Sequence, residues 1–82
     1  MEFLVKKAQK GDADAFVTLI EQSKRSMYKV AKGFFMNEED VADAIADSVL
    51  AAYEHIQSLK NPGYFKTWLI RILINNCNMC IR

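Results

Sequence analysis

The segment from Pro62 to Asn76 constrains the fold more strongly than any other part of the sequence. Read with a helical period, its apolar residues share one broad face, at Phe65, Trp68, Leu69, Ile72 and Leu73. A helix with such a face draws its stability from the elements that cover it, so we predict that it lies at the centre of the fold. The expected packing partners of Trp68, Leu69 and Ile72 are Phe16, Leu19, Phe34, Val49 and Tyr53.

A polar stripe follows another side of the same helix. Its members are spaced by four, four, three and four residues, at Thr67, Arg71, Asn75, Asn78 and Arg82. The sequence has no carboxylate after Glu54, whereas a solvated helix face usually mixes both charges. Arginine and asparagine are side chains that contact phosphates and base edges. The stripe is therefore a candidate nucleic-acid surface, with an ordinary solvated face as the alternative.

The charges of the chain are segregated, although the net charge is only +1. Residues 1–35 carry seven Lys or Arg and four Asp or Glu, and residues 36–57 carry six acids and no Lys or Arg. Residues 58–82 carry four bases and no acid. This segregation predicts two surfaces of opposite sign and two kinds of partner.

Helical patterns also cover the rest of the chain. Apolar periodicity predicts helices over residues 2–10, 13–22, 27–35 and about 38–57. Gly11 and Asp12 give a stop and a cap signal, a weak break falls at Ser23–Ser26, and residues 58–63 form a loop. No segment alternates with period two. We therefore predict one all-α domain over residues 1–82, a compact bundle of four to five helices.

The helix predicted over 38–57 is acidic on one side. Asn37 can cap its start, and three acids follow in the positively polarised first turn. The carboxylates that share its outer side are Asp40, Asp43, Asp47 and Glu54. Because no Lys or Arg is interspersed, the helix lacks the i, i+4 ion pairs that commonly steady an exposed helix. We predict a surface for a basic partner, with ordinary solubility as the alternative.

Motifs that could carry chemistry are few. Cys77 and Cys80 form a C-x-x-C pair, but a zinc site needs two more ligands and the only histidine is His55. A redox pair of that spacing needs a βαβ setting, which the helical pattern lacks. We therefore predict no enzyme and no bound metal or cofactor. Without a long apolar run or a signal peptide, we expect a cytoplasmic protein with reduced cysteines and no membrane insertion.

Three strings of residues are specific enough to compare with known families. They are Leu4–Asp12 with Ala15-Phe16, Asp40–Asp43, and Phe65–Ile72 with Asn75. Together they resemble domain 2 of the bacterial sigma factors, and most of all the extracytoplasmic-function type. The resemblance implies a helical transcription initiation domain whose helix at about 38–57 binds a coiled coil on the beta-prime subunit of core RNA polymerase. It implies that the loop and helix at about 58–82 recognise and open the promoter element nearest the start site.

The same resemblance implies roles for individual residues. The polymerase-binding residues would be Asp40, Asp43, Asp47 and Glu54. The promoter-binding residues would be Lys60, Asn61, Tyr64, Lys66, Thr67, Arg71, Asn75, Asn78 and Arg82. Asn75 matches the asparagine of the family and would read a base of the non-template single strand. Tyr64 would stack on a base extruded into a pocket formed by residues 58–66, or would instead pack within the loop.

Departures from the family pattern limit what carries over. Ala46-Asp47 stands where the family often has Gln-Glu, which weakens one polymerase contact, and residues 59–64 lack the common loop sequence, so no promoter sequence is implied. The family's second, helix-turn-helix domain is absent from this chain, and we expect an isolated or truncated domain. The residues do not indicate whether an anti-sigma factor binds. Two alternatives stay open: a helical protein adaptor, and a double-strand DNA reader using the last helix.

Overall fold

Four α-helices and two short 3-10 turns make up the part of the chain that the computed structural model describes, residues 1–80 with the side chain of Cys80 left out. The helices are α1 (Glu2–Gln9), α2 (Ala13–Lys32), α3 (Glu38–His55) and α4 (Phe65–Cys80). The 3-10 turns, Ile56–Ser58 and Pro62–Tyr64, lie between α3 and α4. The described residues contain no strand, and the predicted all-α fold class is confirmed. No helix among them is long and apolar enough to cross a membrane.

The turn between α1 and α2 follows the predicted stop and cap signals. Gly11 has a φ of 103°, a conformation that costs glycine little, and it reverses the chain directly after α1. Asp12 then caps α2, since its carboxylate accepts a hydrogen bond from the backbone N–H of Ala15 at 3.1 Å. That bond, together with Lys7 at 3.3 Å, holds the pKa of the Asp12 carboxyl below its ordinary value.

Helix α2 is continuous, so the predicted break at Ser23–Ser26 is wrong. Ser23 is fully buried, and its hydroxyl donates to the carbonyl oxygen of Leu19 at 2.9 Å. Because this bond lies within the helix, the serine satisfies its own polar group without ending the helix. The helix ends at Lys32, a little before the predicted residue 35, and Gly33 follows it.

The core is centred on one stripe of α4. The residues of this stripe repeat every four positions and are fully buried, at Phe65, Leu69, Leu73 and Cys77. Leu19 and Phe16 of α2 belong to the same core, as predicted. Trp68 and Ile72 are only half-buried, and Tyr53 is 53% exposed with its ring edge-on to Phe16 at 5.1 Å. The predicted side of α4 does face the core, but the buried centre of that side is the line from Phe65 to Leu73, and Trp68 and Ile72 lie at its edge.

Small residues and one polar contact hold α3 against α4. Ala44, Ser48 and Ala52 are buried on one side of α3. Asn76 donates a hydrogen bond from Nδ2 to the Ser48 hydroxyl at 2.9 Å, and that hydroxyl donates to the carbonyl oxygen of Ala44 at 2.7 Å. The buried hydroxyl is therefore satisfied on both sides, and the two helices are held in one register.

A surface cluster joins the end of α2 to the start of α3. Glu38 accepts hydrogen bonds from the Tyr28 hydroxyl at 2.7 and 2.9 Å and from Lys32 Nζ at 2.9 Å. The bond from Lys32, followed by that from Tyr28, lowers the pKa of Glu38, and donation to Glu38 raises the pKa of Tyr28. The α2–α3 connection is thus fastened by a charged group that titrates in acid.

Replacing a residue of the α4 stripe tests the core. Leu69→Ala should lower the free energy of unfolding by about 2–5 kcal/mol, because it removes fully buried methyl groups from the core. Leu50→Ala, the same change at a side chain that is 59% exposed, is the control and should cost less than about 1 kcal/mol. Urea unfolding followed by circular dichroism measures both. Equal losses would contradict the core assignment.

The Glu38 cluster predicts a pH dependence of stability. A carboxyl whose pKa is lowered by folding stabilises the native state above its unfolded pKa, and this contribution is lost as pH falls through the folded pKa. Glu38→Gln should therefore lose less stability than the parent between neutral pH and about pH 3. Glu39→Gln is the matched control, since the Glu39 side chain forms no hydrogen bond with the described residues. The measurement is urea unfolding at both pH values, and identical pH profiles for the parent and Glu38→Gln would contradict the assignment.

Candidate nucleic-acid and protein-binding surfaces

The outer side of α3 is an acidic surface. Asp40, Asp43, Asp47 and Glu54 are all exposed, and none forms an ion pair with a described residue. Leu50, 59% exposed, lies on the same side between Asp47 and Glu54. The sequence analysis did not identify this leucine, although its position three residues after Asp47 places it on the acidic side. The surface therefore combines unpaired negative charge with an apolar centre.

A groove of about 970 Å³ runs between α2 and α3, next to the acidic surface. Its α3 side is mostly apolar and is formed by Val41, Ala42, Ile45 and Ala46, with Glu38 at the start of the helix. Its α2 side carries an aromatic ring and several charges, at Glu21, Lys24, Arg25, Tyr28 and Lys29. Arg25 and Lys29 form no ion pair with the described residues. The groove thus presents apolar surface beside available positive charge.

The predicted polar stripe of α4 is exposed along its described length. Thr67, Arg71, Asn75 and Asn78 face away from the core, and their side chains form no hydrogen bond or ion pair with described residues. Arg71 is therefore available to a partner, and the described acids of α3 do not hold it. Arg82, the last predicted member of the stripe, lies outside the described residues.

The loop before α4, residues 58–64, carries the remaining predicted nucleic-acid contacts. Lys60, Asn61, Tyr64 and Lys66, the last at the start of α4, are all exposed. The Asn61 side chain is already used within the loop, because its Oδ1 accepts a hydrogen bond from the backbone N–H of Gly63 at 2.9 Å. The loop therefore has a defined conformation, and Asn61 offers a partner mainly the N–H groups of its amide.

A pocket of about 360 Å³ opens where the loop meets α4. Leu59 and Tyr64 line it from the loop, and Thr67, Trp68 and Arg71 line it from the helix. Tyr64 is 64% exposed, so its ring is more accessible than the alternative of half-buried packing within the loop would make it. Two aromatic rings and a guanidinium group around one small pocket can hold a flat ring and an attached anion.

Helix α1 is connected to the loop by hydrogen bonds that the sequence analysis missed. Gln9 donates from Nε2 to the carbonyl oxygens of Ile56 at 2.9 Å and Leu59 at 2.8 Å. In return, Gln57 donates from Nε2 to the carbonyl oxygen of Gln9 at 3.2 Å. Such contacts between residues far apart in the chain have no periodic signature, so no signal in one sequence could have identified them.

Among the described residues, no group of histidine, cysteine, aspartate or glutamate side chains is arranged to hold a metal ion. Cys77 is buried in the core, whereas the side chain of Cys80 lies outside the described part of the chain.

Comparison with known proteins identifies the family of the chain. The Sigma-70 region 2 family model matches residues 19–82. The RNA polymerase sigma factor NccH of Alcaligenes xylosoxydans xylosoxydans is 32% identical over 74 residues, which cover 90% of this chain and 40% of the relative. The ECF RNA polymerase sigma-E factor of Salmonella typhimurium is 36% identical over 76 residues, covering 90% and 38%. The ECF sigma factor SigW of Bacillus subtilis is 32% identical over 79 residues, covering 92% and 42%.

No solved structure matches the chain. The chain spans about two fifths of the length of the curated relatives named above. The match over residues 19–82 and the identity to several sigma factors agree with the all-α fold. The chain belongs to the Sigma-70 region 2 family, among the extracytoplasmic-function sigma factors.

Proposed function

We propose that this chain binds core RNA polymerase through α3 and recognises and melts the promoter element nearest the start site through the loop 58–64 and α4. The observation that carries the proposal is the pocket between the loop and α4, which adjoins an exposed stripe of polar residues. The role is one of binding, without catalysis by the chain itself, and it would be carried out in the cytoplasm. Family membership suggests the kinds of partner, core RNA polymerase and promoter DNA, and the exposed surfaces suggest which residues contact them.

The proposed polymerase contact is the acidic surface of α3 against a basic coiled coil of the beta-prime subunit. Unpaired carboxylates on one side of a helix accelerate association with a positively charged partner and exclude negatively charged ones. Leu50 supplies the apolar centre that a lasting contact needs, because desolvated apolar residues usually carry most of the binding free energy. The family often has a glutamine at the position of Ala46. The alanine adds apolar surface to the adjoining groove, whereas a glutamine would offer a hydrogen-bonding side chain.

The proposed promoter contact is capture of a base from the non-template single strand. Extruding a base costs a few kcal/mol of stacking, which the protein must offset at the site that receives it. Tyr64 and Trp68 present rings around the pocket, and stacking on such rings contributes about 1–3 kcal/mol per base. Asn75 offers an amide that both donates and accepts, as base-edge recognition requires. Lys60, Lys66 and Arg71 would neutralise phosphates without reading sequence.

The two alternatives differ from this proposal in measurable ways. A protein-only adaptor would bind no DNA, and a duplex reader would prefer double-stranded over single-stranded sites. The pocket favours the single-strand proposal, because a base inside a duplex cannot enter a recess between a loop and a helix. A DNA contact of either kind should weaken steeply as salt rises.

The polymerase contact is tested by charge reversal. Asp43→Lys with Asp47→Lys should slow association with the isolated coiled coil by about tenfold at low salt, because the attraction becomes repulsion. Leu50→Ala should instead mainly raise the dissociation rate. Asp14→Lys, an exposed acid on α2, is the control and should leave both rates near those of the parent. Surface plasmon resonance measures the rates, and unchanged association of the double variant would leave the acids a role in solubility only.

The promoter contact is tested by separating base reading from phosphate binding. Asn75→Ala should reduce the discrimination between matched and mismatched single strands by about 1–3 kcal/mol. Arg71→Ala should weaken all strands alike and lower the slope of log K against log salt by about 0.7, one phosphate contact on a single strand. Arg25→Ala, an exposed arginine on α2, is the matched control for charge.

Fluorescence anisotropy of labelled oligonucleotides over a salt series makes these measurements. Equal loss of matched and mismatched binding in Asn75→Ala would remove Asn75 from the reading site. A preference of the parent for duplex DNA would favour the double-strand alternative.

A further inference from the structure

The side-chain amide of Gln9 lies between α1 and the turn that leads into the loop 58–64. It is partly buried, and both hydrogens of its Nε2 are engaged, one on the carbonyl oxygen of Ile56 at 2.9 Å and one on that of Leu59 at 2.8 Å. These carbonyls follow the end of α3, where the last acceptors of a helix lie outside its own hydrogen-bond pattern. The carbonyl oxygen of Ile56 also accepts from the backbone N–H of Leu59 at 3.2 Å. One side chain from a distant helix therefore donates hydrogen bonds to two backbone carbonyls at the start of the loop.

The bound carbonyl of Leu59 belongs to a residue that lines the pocket. Leu59 is buried, and the pocket continues from it to Tyr64 on the loop and to Trp68 and Arg71 on α4. Fixing the backbone of Leu59 therefore fixes one wall of the pocket. No other described side chain donates a hydrogen bond to this backbone carbonyl.

The helix that carries Gln9 is itself held in place. Val5 and Ala8 are buried in the core, and Gln57 returns a hydrogen bond to the carbonyl oxygen of Gln9 at 3.2 Å. Helix α1 therefore holds the pocket wall in a fixed position relative to the core. Helix α1, residues 2–9, lies outside the segment 19–82 that the family model matches, so that match does not include Gln9.

We propose that Gln9 is a positioning residue for base recognition, holding the wall of the pocket at Leu59 in the geometry that receives a base. This inference rests on the proposed promoter contact. Gln9 lies behind the pocket and acts through the backbone of Ile56 and Leu59. Its removal should therefore impair discrimination between bases and leave phosphate binding intact.

The test compares variants of the full 82-residue chain by fluorescence anisotropy on matched and mismatched single strands over a salt series. Gln9→Met keeps the length of the side chain but removes both donors, and it should lower the matched-to-mismatched affinity ratio at least about fivefold with an unchanged salt slope. Gln9→Lys restores donors beside the same carbonyls and should return the ratio to within about twofold of the parent. Any general gain in phosphate attraction from the new lysine cancels in that ratio.

Two controls separate positioning from stability. Gln22→Met makes the same change at an exposed glutamine of α2 that forms no side-chain hydrogen bond with described residues, and it should keep the parent ratio. Val41→Ala makes a destabilising change at a buried residue near the start of α3, outside α1 and the loop, and it should lower the melting temperature while keeping the ratio. If Gln9→Met does not fold, Gln9→Glu replaces it, because a carboxylate of the same size cannot donate.

The outcomes are distinct. A parent ratio near one would refute the proposed promoter contact itself. A discriminating parent whose Gln9→Met or Gln9→Glu variant keeps its ratio, or whose Val41→Ala variant loses the ratio equally, would refute the role of Gln9.

Discussion

The burial of one stripe of α4 is the constraint on which the rest of the structure depends. Phe65, Leu69, Leu73 and Cys77 are fully buried against the other helices, so the orientation of α4 about its own axis is fixed. The side opposite this stripe must then face solvent, and it carries Thr67, Arg71, Asn75 and Asn78. The candidate reading surface is thus placed by a rigid element, which holds side chains more accurately than a loop alone.

The same packing keeps the two charged surfaces apart. Helix α3 turns Ala44, Ser48 and Ala52 inward, with Ser48 bonded to Asn76 of α4, so its carboxylates face outward. Acids close to the α4 stripe would repel phosphates and would form ion pairs with Arg71. Their separation leaves each surface unpaired and available to a partner of opposite charge.

Most of this arrangement was predictable, because it depends on periodicity and capping. The acidic and polar faces and the caps at Asp12 and Asn37 are local patterns, and they are found as predicted. The break at Ser23–Ser26 was wrong, since a serine can donate to its own helix as readily as end it. Periodicity also showed which side of α4 faces the core but not where the buried surface ends. Trp68 was therefore predicted to be more buried than it is. The contacts of Gln9 and Asn76 join residues 28 to 50 positions apart, and no local pattern records them.

Those long-range contacts matter most in the connection between α3 and α4, where few side chains are buried. Between α3 and α4, only Ile56 and Leu59 are buried, and the only regular structure there is two short 3-10 turns. A loop with so few apolar contacts would sample many conformations, and binding a base would then cost the entropy of ordering it. The Gln9 amide on one side and the Asn61 turn on the other supply that order before any partner arrives. Base recognition by this chain would therefore depend on α1 as well as on the loop and helix that touch the strand.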